Sequence, residues 1–116
     1  MIKIDTLFEF RKGILFVRLT GVMTKNTYQK YNDEVIKIIK ENGIKNVVIN
    51  LNKIYNIDLK GINLLFYTYE IIKNNKGHLI LANINDLIKI QIEKSHILKY
   101  VKEVDNELVS FDEIIV

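Results

Sequence analysis

The chain has 116 residues, enough for one hydrophobic core and too few for two. Hydrophobic residues make up 48% and charged residues 27%, which sets aside disordered and fibrous classes. The net charge is +3, yet the lysines are spread over every segment and only Arg11 and Arg18 carry guanidinium groups, so the charge reads as a solvated surface rather than a nucleic-acid site.

The absence of cysteine excludes disulfides, thiol chemistry and Cys-based zinc sites. The first residues lack the charged-then-apolar pattern of a signal peptide, and no apolar run is long enough to span a bilayer. A cytoplasmic protein with neither nucleic acid nor membrane as partner is the expectation.

In chain order, Ile4 to Phe10 reads as a first strand and Ile14 to Leu19 as a second. Arg11-Lys12-Gly13 between them suits a hairpin. In the second strand Ile14, Phe16 and Arg18 share one face, and Leu15, Val17 and Leu19 the other. Thr20 to Asn26 reads as a loop. A helix is expected over Thr27 to Asn42, where Tyr28, Tyr31, Val35, Ile38 and Ile39 recur at helical steps and Gly43 supplies the stop.

Asn46 to Leu51 reads as a third strand, and the β-branched run Val47-Val48-Ile49 is what a strand covered on both faces requires. A loop, Asn50 to Ile57, then leads to Asp58, a strong helix N-cap residue. The helix expected from Leu59 to Lys73 has a main apolar face of Ile62, Leu65, Phe66, Tyr69 and Ile72. A second stripe, Leu64, Tyr67 and Ile71, is either packed on neighbouring helices or a surface for a homo-oligomer.

His78 to Ala82 is the fourth strand. Asn85 or Asp86 caps a helix to about Lys94, and Val101 to Val104 is a short fifth strand. Asp105 caps a last helix containing Leu108, Phe111 and Ile115. The fold class is therefore α/β: one domain over residues 1–116, a mixed sheet with an N-terminal antiparallel hairpin, the remaining strands in βα units.

The segment Asp58-Leu59-Lys60-Gly61, placed between a central strand and a helix, resembles the D-S-x-G signature of STAS domains, the family of bacterial anti-anti-sigma factors. Gly21-Val22-Met23-Thr24 is similar to that family's G-x-[LI]-[DT] element. The stretch from Ser95 to Val101 is similar to its late S-G-[LI] turn, with His96 at the glycine position. The element order matches over nearly the whole chain.

The resemblance implies a transcription-regulating signalling domain that binds an anti-sigma factor, often a serine kinase, and thereby frees a sigma factor. It places the phosphoacceptor at position 59. Leu59 has no hydroxyl and cannot be phosphorylated. The implied partner-binding residues are Thr24, Lys25, Asn26 and Thr27 on the loop, with Asp58, Leu59, Lys60, Gly61 and Asn63 at the helix start.

Several of these positions carry more than one reading. Asp58 serves as N-cap whether or not a partner touches it. Gly61 permits either close approach of a partner backbone or tight packing on the third strand. Leu59 is either an exposed apolar anchor or a residue folded onto Ile54 or Ile57. Thr20, Thr24, Thr27 and Tyr55 are nearby hydroxyls suited mainly to turn and cap chemistry.

No catalytic constellation is visible, and no cofactor motif: no phosphate-binding glycine loop, no nucleophile elbow, no paired carboxylates. The protein is expected not to be an enzyme. The other readings are a structural STAS scaffold in a signalling assembly, and a binder of a small anion or nucleotide at the helix N-terminus.

Overall fold

The structure, a computed structural model, describes residues 2–114. Its sheet has five strands in the order β1-β2-β3-β4-β5. The hairpin of β1 (Ile4–Arg11) and β2 (Ile14–Met23) is antiparallel, and every later pairing is parallel. The two-residue turn has positive φ at both Lys12 and Gly13, at 53° and 80°, the twist that closes a tight hairpin between right-twisted strands.

The first long helix is continuous but not uniform. It comprises α1 (Tyr28–Tyr31), a π-helical turn (Asn32–Ile36) and α2 (Lys37–Asn42), ending at Gly43 in the left-handed region as expected. Then follow β3 (Asn46–Ile57), α3 (Leu59–Asn74), β4 (His78–Ala82), α4 (Lys89–Lys94) and β5 (Lys102–Val104). A 3₁₀ turn at Glu107–Val109 leads into α5 (Ser110–Glu113). Ile115, expected in the last helix, lies outside the described residues.

β3 occupies the middle of the sheet, and Val47, Val48 and Ile49 are each 0% exposed. Both faces are covered, as the β-branched run required. Leu15, Val17, Leu19, Val47, Ile49, Leu79 and Leu81 pack with the helical layer, including Tyr31, Val35, Ile39, Leu65 and Ile92. On the reverse face Ile14, Phe16, Val48, Ile80 and Ala82 meet Val104, Val109, Phe111 and Ile114 of the C-terminal segment.

Two boundaries differ from the sequence reading. Thr20 to Met23 reads as a loop for Gly21 and its cap-type residues, and Asn50 to Ile57 because its apolar residues break strict alternation. In the fold they are the continued parallel pair of β2 and β3, with Thr20 opposite Lys53, Gly21 opposite Ile54 and Met23 opposite Ile57. Register shifts between Arg18 and Thr20 and between Gly21 and Val22 reset the alternation, as bulges do. A bulged strand therefore carries the chain to Asp58.

Further corrections are local. α4 starts only at Lys89, because Asn85 closes a turn by accepting from the Leu87 N–H at 2.8 Å. The Asn85 amide nitrogen donates to the carbonyls of Asn52 and Ile54 at 2.9 and 2.8 Å, pinning this loop to the end of β3. β5 begins at Lys102 rather than Val101. Asn106, not Asp105, supplies the cap, accepting from the Val109 N–H at 3.2 Å.

Of the stripe considered for oligomer contact, Leu64 and Ile71 are buried in the helical-layer core, while Tyr67 stays exposed and its hydroxyl accepts from Lys40 Nζ at 2.7 Å. Tyr31 and Thr68 share a buried hydrogen bond of 2.7 Å between α1 and α3. Burial pushes the Tyr31 hydroxyl up from its ordinary pKa, against the lowering effect of Thr68.

One polar clamp holds the C-terminal segment to the sheet. The Arg18 guanidinium donates from Nε to Glu107 at 2.9 Å and from its terminal nitrogen at 2.7 Å, and it also meets Glu9 at 2.9 Å. Asn50 donates to the same Glu107 carboxylate at 2.7 Å. Arg18 lowers the Glu107 carboxyl below the usual carboxylate range; desolvation opposes this and Asn50 assists it. A carboxyl depressed in the fold stabilises at pH above its unfolded pKa and loses that contribution as pH falls through its folded pKa. The melting temperature should therefore fall on acidification below about pH 4.5, and Glu107→Gln should flatten that dependence while lowering stability at neutral pH. Parallel acid profiles of the two proteins would refute the clamp.

Candidate functional site

The site lies at the C-terminal edge of the central strands, where open α/β sheets present their ligands and partners. It is built from the end of β2, the loop Thr24 to Thr27 and the first turns of α3. The bulges extend β2 and β3 together, so Met23 and Ile57 end side by side and the Asp58 N–H donates to the Met23 carbonyl at 3.2 Å.

Asp58 is the joint of this edge. One carboxylate oxygen accepts from the Gly61 N–H at 2.9 Å, the N-cap bond of α3. The other accepts from the Lys25 N–H at 3.0 Å, across the gap to the β2–α1 loop. Desolvation pushes the carboxyl up, but the backbone donors of Lys25, Gly61 and Lys60 outweigh it and hold it below its ordinary value. It is thus charged at neutral pH and fixes loop and helix as one surface.

The loop is locked from within. Thr27 Oγ1 accepts from the Thr24 N–H at 3.0 Å and donates to the Val22 carbonyl at 2.8 Å. Thr24 Oγ1 accepts from the Asn26 N–H at 3.3 Å. Both threonines are buried, and Lys25 and Asn26 are the exposed residues between them. The turn chemistry expected of these hydroxyls is what they perform.

Gly61 is set by packing within the chain. A Cβ at this position would lie 2.0 Å from the Met23 carbonyl oxygen and 2.7 Å from an Ile57 side-chain carbon. The tight-packing reading therefore accounts for this glycine, although the first contact is with the end of β2 rather than with β3.

Leu59 does not fold back on Ile54 or Ile57. It is 75% exposed, the most exposed large hydrophobic residue among the described residues. Lys60 Nζ sits 4.3 Å above the Tyr28 ring, joining α3 to α1, and Asn63 is exposed one turn beyond Leu59.

Beside Leu59 runs an open groove of about 510 Å³ between α3 and α4, lined by Ile57, Ile62, Phe66, Gln91 and Lys94 among others. The α4 side of this groove was not read from the sequence. The signal was present in part: Leu59, Ile62 and Phe66 recur at steps of three and four, but Ile62 and Phe66 were read as core alone. Among the described residues, no group of His, Cys, Asp or Glu is placed to hold a metal ion, and no helix is long and apolar enough to cross a membrane.

A mixed five-stranded sheet, a capped helix at its edge and a loop joined to it by Asp58 define an α/β domain. The model of the STAS domain family matches residues 6–110, and the chain belongs to that family. An anti-sigma F factor antagonist of Paenibacillus polymyxa is 22% identical over 106 residues, covering 91% of each chain. Two solved structures share the fold. An anti-sigma factor antagonist of Mycobacterium paratuberculosis has a TM-score of 0.82 at 17% identity, covering 96% of this chain and 93% of that one. A Thermotoga maritima protein assigned to the same class has a TM-score of 0.88 at 12% identity, covering 94% and 93%.

Proposed function

We propose that this STAS domain is a cytoplasmic anti-sigma factor antagonist. It binds an anti-sigma factor of the kinase type through the edge formed by Lys25, Asn26, Asp58, Leu59, Lys60 and Asn63. The observation that carries the reading is the exposed Leu59, held at a helix start by two Asp58 hydrogen bonds next to an apolar groove. An apolar side chain on a rigid support, bordered by polar groups, is the usual anatomy of an interface anchor. The protein acts by contact, without catalysis.

In this reading position 59 is the place of the phosphoacceptor, and leucine removes the off-switch. Binding is then constitutive with respect to phosphorylation. The anion-binding alternative is weakened by Asp58 itself. Its carboxylate already occupies the helix N-terminus and brings a like charge to any anion there.

The test has two parts. Bait protein incubated in a native extract should retain an ATP-binding anti-sigma factor, identified by mass spectrometry. With that kinase and ATP, the edge should stay unmodified. Efficient phosphate transfer to Thr24, Tyr55 or another hydroxyl near the edge would contradict the loss of the switch.

A further inference from the structure

Among the described residues β2 is the only strand paired with β1, which leaves β1 an edge of the sheet. Exposed edges are usually blunted by proline, lysine, bulges or a covering element. The eight residues of β1 contain neither proline nor lysine, and its register against β2 is unbroken from Ile4 to Arg11. Leu7 is 62% and Phe10 61% exposed on its opposite faces.

The hydrogen-bonding parity of this edge is fixed. The Val22 N–H donates to the Lys3 carbonyl at 2.9 Å, so the odd-numbered residues of β1 bond to β2. The backbone groups of Ile4, Thr6, Phe8 and Phe10 therefore point outward. Any added antiparallel strand must pair with these even positions.

We propose that β1 pairs antiparallel with β1 of a second copy of this chain, joining two sheets across a twofold axis at Phe8. This register sets Phe8 opposite its own copy and Thr6 opposite Phe10, which satisfies the parity. It also sets Asp5 opposite Arg11 twice. The register shifted by two residues one way puts Asp5 against Glu9 and Lys3 against Arg11, two like-charge contacts. Among the described residues Arg11 has no acidic partner, and its guanidinium lies 5.8 Å over the Phe111 ring. Among the described residues Asp5 meets the exposed lysines Lys3 and Lys30, each at 3.2 Å, which can move aside or share the carboxylate. Leu7 and its copy become diagonal neighbours on one face, and the two Phe8–Phe10 pairs adjoin on the other. The symmetric, self-complementary pattern is what an isologous interface needs.

Sedimentation velocity over a concentration series should show a monomer–dimer equilibrium. Arg11→Glu, a change on an exposed hairpin residue, should weaken dimerisation about tenfold, because two attractive pairs become two repulsive ones. Tyr67→Ala, on the outer side of α3, should leave it unchanged. The absence of cysteine allows a direct register test. A mixture of Thr6→Cys and Phe10→Cys chains should form a disulfide under mild oxidation, since paired Cα atoms about 5.5 Å apart are within reach. Neither variant alone should do so. A monomer at every concentration overturns the proposal, as does a dimer insensitive to Arg11→Glu. Cross-linking of either variant with itself overturns the register.

Discussion

Leu59→Glu should weaken partner binding strongly while leaving the fold intact. The side chain is exposed, so no core contact is lost. An acidic residue at the first position of α3 also favours the positive helix end. In a complex, the same carboxylate would be taken out of water against an apolar surface. A buried, unpaired charge at an anchor position costs about 2 kcal/mol or more, which is at least about thirtyfold in affinity. Calorimetric binding and thermal melting on one sample separate the outcomes. Unchanged affinity with an unchanged melting temperature would remove Leu59 from the interface.

Gly61→Ala should have the opposite signature, a damaged fold. In an exposed helix this change gains about 1 kcal/mol of helix propensity. Here the new methyl would meet the Met23 carbonyl oxygen at 2.0 Å, and that carbonyl also accepts the Asp58 N–H. Neither the strand end nor the helix start can yield without breaking the joint. Overpacking of this kind costs about 3 kcal/mol, so a net drop of roughly 10 °C in melting temperature is expected. A rise in melting temperature would show that α3 can slide away from β2, and the rigid edge would lose its basis.

The difference between these two positions shows what the sequence could and could not convey. The D-x-x-G spacing at Asp58 and Gly61 identified the helix start, because an N-cap and the residue that donates to it lie at a fixed separation. It could not distinguish an exposed Leu59 from a folded-back one, since that depends on where β2 and the loop Thr24 to Thr27 lie. The reading of Gly61 as packed on the third strand holds for Ile57, but the nearest contact comes from Met23 at the end of β2, distant in sequence.

Those bulges also explain the boundaries that were misplaced. Val47 to Ile49 declared a central strand by composition alone, and Gly43 declared a helix end. Beyond Leu51 the alternation of β3 is reset twice, so Asn52 and Asn56 read as loop residues although they stand in a strand. The α4 side of the groove was hidden for a similar reason. Gln91 and Lys94 show no pattern of their own; Asn85 brings them to α3 by pinning its loop on β3. His96 carries a backbone demand instead of a motif, holding a left-handed φ of 63° at the position where the resemblance expects glycine.

The most direct measurement is a chemical-shift titration of isotope-labelled protein with the anti-sigma factor recovered from the extract. The account predicts perturbation concentrated at Lys25, Asn26, Leu59, Lys60 and Asn63, extending to Gln91 and Lys94 along the groove. At the opposite end of the sheet, the cleft lined by Lys73, His78 and Lys102 should stay silent. Shifts confined to that cleft, with Leu59 and Lys60 unmoved at saturation, would contradict it.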